Sequence, residues 1–307
     1  MRFSLFLLIM LSVSQPAFAV QTDWMSYIPD RASLSSINIP GTHNSGALHE
    51  PILGTAKCQS MSLQEQLESG TRFFDIRCRH SKDRFEIYHG LVSQNLSFTE
   101  VIETFKTFLQ NHPSETIVTS IKQEYKPTQN TRPFIQTLQS YLDQAESVWY
   151  VKEAIPTIGD TRGKIVLLRR FESKGPLGIP ATDWKSDGFH KADNVFIQDH
   201  YSLPDANTKW EVIKKAFSFS TAEAPDNRLH LHYTSGFTTR QFGLPDILAI
   251  SDSINERLLD YLKTSPHKHH GFIVVDFMTP ELAKSIYQMN FPKNNSLQKP
   301  DGCSLPD

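Results

Sequence analysis

Short apolar runs with period-two alternation recur along the chain, separated by stretches whose apolar residues repeat at helical spacing. Strands are predicted over residues 37–39, 72–79, 85–89, 116–122, 165–170, 195–199, 229–233 and 272–277, and helices over 62–68, 98–111, 133–145, 210–217, 254–263 and 280–289. Strands that alternate with helices favour parallel pairing, because parallel neighbours need long crossovers. The pattern predicts an α/β chain folded as a single distorted (β/α)8 TIM-type barrel. Distortion is expected because some connections lack an obvious helix. The stretch 171–194, rich in Gly, Pro, Ser and Asp, reads as a long surface loop within one domain.

Alternation inside the strands carries further information. Along 72–79, Phe74, Ile76 and Cys78 share one face, while Asp75, Arg77 and Arg79 share the other. Ile117 and Ile121 oppose Val118, Ser120 and Lys122, and Phe272, Val274 and Asp276 fall on one face. Polar residues thus collect at the C-terminal ends of strands, where barrel enzymes build their active sites.

Composition narrows the class. With 307 residues, 39% hydrophobic and 21% charged, the chain can bury a sizeable core, which excludes a disordered protein. A formal net charge of −2 supplies no Lys/Arg excess for phosphate neutralisation, so nucleic acid is not an expected partner. Arg2, the apolar run 3–13 and Ala17-Phe18-Ala19 have the form of a secretory signal over residues 1–19, too short in its apolar part to span a bilayer. The expectation is therefore an exported protein, secreted or periplasmic, whose one domain occupies 20–307. Of the three cysteines, Cys58 and Cys78 could pair or could be buried thiols, and Cys303 leaves the count odd.

Candidate chemistry sits at three strand ends. Ile39-Pro40-Gly41-Thr42-His43-Asn44-Ser45-Gly46 follows the first strand, Phe73-Phe74-Asp75-Ile76-Arg77 lies in the second, and Ile87-Tyr88-His89-Gly90 closes the third. Two histidines and an arginine suit phosphodiester cleavage: one imidazole takes a proton from the attacking hydroxyl, another delivers one to the leaving oxygen, and a guanidinium holds the phosphoryl oxygens. Single histidines are more often core or surface residues. His230 with His232, and the cluster His267, His269 and His270, are read by default as surface or barrel-lining, because a metal site would need a further ligand. Asn95-Leu96-Ser97 fits an N-glycosylation pattern, whereas Asn295-Ser296-Leu297 does not.

The ordered motifs resemble the bacterial secreted phosphatidylinositol-specific phospholipases C. They are Ser-Ile-Asn-Ile-Pro-Gly-Thr-His-Asn-Ser-Gly (36–46), Arg-Phe-Phe-Asp-Ile-Arg (72–77), His-Gly (89–90), Pro-Ser-Glu-Thr-Ile (113–117) with Lys122, Gly-Lys-Ile-Val-Leu-Leu-Arg-Arg (163–170), Gln-Asp-His-Tyr (198–201) and Val-Val-Asp-Phe (274–277). The resemblance runs in order from about residue 24 to 290. It implies a distorted barrel and cleavage of phosphatidylinositol to inositol 1,2-cyclic phosphate and diacylglycerol. His43 would be the general base, His89 the general acid, Arg77 the phosphate ligand and Asp276 the residue orienting His43. Lys122, Arg170, Asp199 and Tyr201 match inositol-contacting positions.

One position departs from that pattern. Asn44 completes the candidate catalytic set where the bacterial family usually has Asp, and the calcium-using eukaryotic relatives place Asn there as a metal ligand. Arg77 and Lys122 stand where those relatives have acidic ligands, so no cofactor, and specifically no calcium, is expected. Phosphatidylinositol in membranes is the implied partner, with glycosylphosphatidylinositol anchors as a further class. Membrane contact would be peripheral, through Leu177 and Ile179, or through Phe237, Phe242 and Leu244; a monomer is the default. Rival readings are a calcium-dependent form of the same phospholipase, a feebly active inositol-lipid-binding protein and a glycerophosphodiester phosphodiesterase.

Overall fold

The computed structural model describes residues 21–291 except 185–186, 224–226 and 266–267, so the expected signal segment, His267 and Cys303 lie outside the described residues. The strands are β1 (Ile39–Thr42), β2 (Phe73–Ser81), β3 (Arg84–His89), β4 (Val92–Ser97), β5 (Thr116–Gln123), β6 (Trp149–Tyr150), β7 (Lys164–Arg169), β8 (Ile179–Pro180), β9 (Gly188–Lys191), β10 (Val195–Asp199), β11 (Leu229–Tyr233), β12 (Thr238–Thr239), β13 (Pro245–Asp246) and β14 (Phe272–Val275). The helices are α1 (Leu63–Glu68), α2 (Phe98–Asn111), α3 (Phe134–Gln144), α4 (Ile158–Thr161), α5 (Ala206–Glu223), α6 (Leu248–Thr264) and α7 (Pro280–Gln288).

The strands β6-β7-β5-β2-β1-β14-β11-β10 pair in that order, all parallel. The path ends at β6 on one side and, through an antiparallel pair with β10, at β9 on the other. The result is a strongly curled, mostly parallel sheet: a TIM-type barrel left open along one seam. Alternation decides what faces where. Ile39, Phe73, Val118, Val166, Leu168, Val195, Ile197, Leu229, Leu231, Phe272 and Val274 fill the interior. Phe74, Ile76, Cys78, Ile117, Ile121, Ile165 and Leu167 point outward and pack under α1, α2 and α3.

The floor is closed by the segment Trp24–Tyr27, a 3-10 turn whose Trp24 stacks on Tyr287 at 5.4 Å and donates its indole N–H to Gly70 O at 2.9 Å. A fully buried pair, Arg72 Nη2 to Glu115 Oε2 at 2.8 Å, lies at the N-terminal ends of β2 and β5. Helix starts follow local chemistry: Ser62 before α1 and Ser97 before α2 each form a reciprocal capping box with the glutamate three residues on.

Several expectations need correction. The first strand is shifted to Ile39–Thr42, because a 3-10 turn over Leu34–Ser36 consumes the residues before it. The stretch 171–194 is not simply a surface loop: β8 and β9 lie within it, and Ile179, Ala181 and Trp184 are buried in the barrel core. Leu177 and Ile179 are accordingly 8% and 0% exposed, which removes them as membrane contacts. Of the two readings left open for Cys58 and Cys78, the structure has the second: both are buried free thiols. His230 and His232 neither face solvent nor line the barrel; they point outward from β11 and meet Ser220 of α5, each at 2.6 Å from its hydroxyl.

Candidate active site

The inward rows of the strands change from apolar to charged as they reach their C-terminal ends. Phe73 gives way to Asp75 and Arg77, Val118 to Ser120 and Lys122, Leu168 to Arg170, Ile197 to Asp199, and Val274 to Asp276. The charged ends open into a cavity of about 680 Å³. His43, Arg77, His89, Lys122, Arg170, Asp199, Tyr201 and Asp276 all line it, so one mouth gathers every sequence-predicted site residue except Asn44.

Two contacts fix the state of His43. Its Nδ1 lies 2.7 Å from Asp276 Oδ1, and its Nε2 lies 2.7 Å from Arg77 Nη2. A carboxylate accepts and a guanidinium only donates, so Nδ1 carries the proton and Nε2 keeps its lone pair. That tautomer is the one a general base requires.

Asp75 organises the cations. Fully buried, it accepts from Arg77 Nε at 3.0 Å, Arg170 Nη1 at 3.3 Å, the Ser120 hydroxyl at 2.9 Å and the Asn44 backbone N–H at 3.1 Å. Burial opposes its charge, but Arg77 and Arg170 outweigh that and hold the carboxyl far below the usual range. Arg77 is raised in turn: burial lowers it, and Asp75 and Glu124 more than compensate. The guanidinium is therefore a fixed positive charge aimed at the cavity.

His89 is held differently. Its Nδ1 donates to Ala56 O at 2.7 Å, and its ring stands 6.4 Å from that of His43, near perpendicular at 86°. Burial and the neighbouring Arg77 push its pKa down to about 4. Next to His89, Glu124 accepts from the Gly90 N–H at 2.8 Å and pairs with Lys122 at 2.9 Å, while burial and Arg77 lower the lysine to about 8. The Arg170 guanidinium lies over the Trp184 ring at 3.2 Å, while the Trp184 indole N–H donates to Asp199 Oδ2 at 3.1 Å. Tyr201 stacks on Phe237 at 6.0 Å. Cations, carboxylates and aromatic faces thus alternate around a polar pocket, the mix a polyhydroxylated ring needs.

Sequence reasoning missed Asp75 as the hub, Glu124 as the partner of Lys122, and Trp184. Glu124 was accessible, since Ser120, Lys122 and Glu124 share one face of an extended run. Trp184 lay in a segment without periodicity. Asn44 is 0% exposed, off the cavity wall and at a positive φ of 42°; its amide atoms have no hydrogen-bond partner among the described residues. It serves the site here through its backbone N–H.

Exposed apolar side chains lie on loops neighbouring cavity-lining residues: Gly54 O accepts from the N–H of Ile247, and Phe242 follows Phe237 in the same loop. Phe242 is 96% exposed, Leu53 70% and Ile52 50%. Their loops are tied together by Arg240, which donates to Leu53 O at 2.7 Å and pairs with Asp246. Phe237 is partly buried and belongs to the cavity wall.

The family model of the phosphatidylinositol-specific phospholipase C X domain matches residues 33–171. A 1-phosphatidylinositol phosphodiesterase of Listeria monocytogenes is 33% identical over 283 residues, covering 87% of this chain and 84% of the relative. One from Staphylococcus aureus is 27% identical, covering 83% and 88%. Among solved structures, a phosphatidylinositol-specific phospholipase C of Staphylococcus aureus superposes with a TM-score of 0.80 at 25% identity, covering 89% of this chain and 99% of that one. The Listeria monocytogenes enzyme gives 0.70 at 28% identity, covering 88% and 99%.

Proposed function

This chain belongs to the bacterial phosphatidylinositol-specific phospholipase C family, and we propose that it is an exported, metal-independent lyase releasing inositol 1,2-cyclic phosphate and diacylglycerol from phosphatidylinositol. The observation that carries this reading is the pair of contacts on His43, which leaves Nε2 unprotonated beside Arg77.

The substrate phosphate enters beside Arg77, drawing the guanidinium onto its non-bridging oxygens and freeing His43 Nε2. That nitrogen takes the proton of the inositol 2-hydroxyl, whose oxygen attacks the adjacent phosphorus. Asp276 holds the ring and stabilises the imidazolium that forms. The bound phosphate's negative charge offsets Arg77 and lets His89 Nε2 take a proton from solvent, which it then gives to the departing diacylglycerol oxygen. Lys122, Arg170, Asp199 and Tyr201 are the inositol contacts, with Glu124 and Trp184 holding two of them in place.

Metal independence is supported by the donor set. A hard cation such as calcium needs six to eight oxygen ligands. Asp75 already gives its oxygens to Arg77, Arg170, Ser120 and a backbone N–H, and the Asn44 amide is not on the cavity wall. Peripheral membrane contact is supported by the exposed Phe242 and Leu53 on loops neighbouring cavity-lining residues, and by a solved relative from Staphylococcus aureus described for its membrane binding. The single domain over 20–307, preceded by a signal segment, and the monomeric state complete the proposal.

Head-group release from phosphatidylinositol vesicles tests it. The wild type should turn over, and His43→Ala and His89→Ala should each lose about 10²–10⁴-fold. Retention of activity in both variants would overturn the assignment.

A further inference from the structure

A thiol lies behind the catalytic histidine. Cys58 Sγ, a nitrogen of His43 and a carboxylate oxygen of Asp276 all lie within 4.8 Å of one another, the one such group of three among the described residues. Asp276 is 1% exposed, and its Oδ2 makes no hydrogen bond among the described residues. His89 Nδ1 stands 3.7 Å from the same sulfur. None of the steps above uses the thiol.

We infer that Cys58, His43 and Asp276 form an inhibitory site for a thiophilic divalent cation, Zn2+ or a chemical equivalent, entered from the catalytic cavity.

Sulfur, imidazole nitrogen and carboxylate oxygen are the ligand types zinc takes, with three protein ligands leaving a fourth position for solvent. Bonds of about 2.0–2.3 Å in tetrahedral geometry place ligand atoms about 3.3–3.7 Å apart, which this group reaches with small side-chain movements. The cation would sit on the Nδ1 side of His43, away from Arg77 on the Nε2 side, so the guanidinium that opposes calcium does not face it. A thiolate and a carboxylate carry two negative charges, which match Zn2+. Burial, with the Asp276 carboxylate as neighbour, raises the Cys58 thiol, so without a metal the sulfur stays protonated. The hard cations calcium and magnesium do not favour this ligand set.

Zn2+ enters, the Cys58 thiol proton leaves to solvent, and Asp276 gives Oδ2 to the metal. The ring proton of His43 passes from Nδ1 to Nε2 as Nδ1 takes the metal. Nε2 then has no lone pair for the inositol hydroxyl and can no longer accept from Arg77. Inhibition follows from consumption of the base, and this last step rests on the catalytic reading above.

Absorption spectroscopy with Co2+ tests the site without reference to turnover. Titrating the purified protein should give an intense near-ultraviolet thiolate-to-cobalt band, reversed by Zn2+ and absent in Cys58→Ser and Cys58→Ala. Zn2+ should inhibit the wild type at least tenfold more strongly than either variant, and EDTA should restore activity. Absence of the band, or an equal band or equal Zn2+ inhibition in the variants, would overturn the site. A Cys58-dependent band with full turnover would uphold the metal site and contradict the role of His43 as base.

Discussion

Arg77 Nη2 lies 2.7 Å from His43 Nε2, a contact between a cation and the lone pair of an imidazole whose other nitrogen is held by Asp276. The arrangement leaves His43 Nε2 unprotonated, the tautomer that the proposed base needs. In the proposed mechanism, binding phosphate and freeing the base would be one event, since the guanidinium that holds His43 is the group the phosphate would attract.

Asp276→Asn should therefore lower kcat by about 10²–10⁴-fold while leaving KM nearly unchanged, because an amide no longer forces the proton onto Nδ1. Arg77→Lys should cost about 10²–10³-fold, since an ammonium cannot serve Asp75, His43 and the phosphate as a planar fork does. Steady-state kinetics on vesicles separate the two effects, and a change confined to KM in Asp276→Asn would contradict the orienting role.

The pH profile should report His89. In the free protein burial and Arg77 hold it near a pKa of about 4, so only a falling fraction is protonated above that value. The sign is that kcat/KM declines as pH rises above about 4–5, whereas kcat, measured with phosphate bound, holds to higher pH. Asn44→Asp would add a negative charge beside Asp75 and His43 and move the kcat/KM limb upward. A limb at or above the ordinary histidine value, unmoved by this substitution, would contradict the assignment.

Membrane attachment should depend on Phe242 and Leu53. Replacing both with Ser removes exposed apolar surface without touching the cavity, and should weaken vesicle binding about tenfold while sparing cleavage of a soluble inositol phosphodiester. Vesicle co-sedimentation read beside soluble-substrate kinetics decides it; equal losses in both would place these residues in the fold instead.

Acid should destabilise the protein before its carboxylates titrate. His232 and His270 are buried on the outer side of the sheet, where burial and neighbouring histidines hold the first well below its ordinary value and burial, with His269, pushes the second down to about 3. These groups are neutral when folded and take up protons on unfolding, so their contribution is complete above about pH 6.5 and is lost as pH falls toward 3. His270 alone accounts for about 2 kcal/mol between pH 6.5 and 5. His270→Phe, which keeps a ring against Phe217, should flatten that fall in urea midpoints measured at both pH values; an unchanged slope would contradict it.

How much of this was legible in the sequence follows from its periodicities. Alternation along β2, β5 and β14 placed Asp75, Arg77, Ser120, Lys122 and Asp276 on the inner face, because a barrel strand offers its residues only two directions. The stretch 171–194 could not be read the same way. Its short strands β8 and β9 hold too few residues to show a period, and Trp184 is fixed by its contacts with Arg170 and Asp199, both remote in sequence or set in another strand. The burial of His230 and His232 was hidden for a related reason: polar residues on the outer face of a strand signal solvent unless a helix residue such as Ser220 is known to cover them.

The most direct measurement is phosphorus NMR of the purified protein with phosphatidylinositol vesicles, run with and without EDTA. A cyclic inositol phosphate signal that grows at least as fast in EDTA as without it is the predicted result. Turnover abolished by EDTA and restored by calcium, or a product that is never cyclic, would contradict the account.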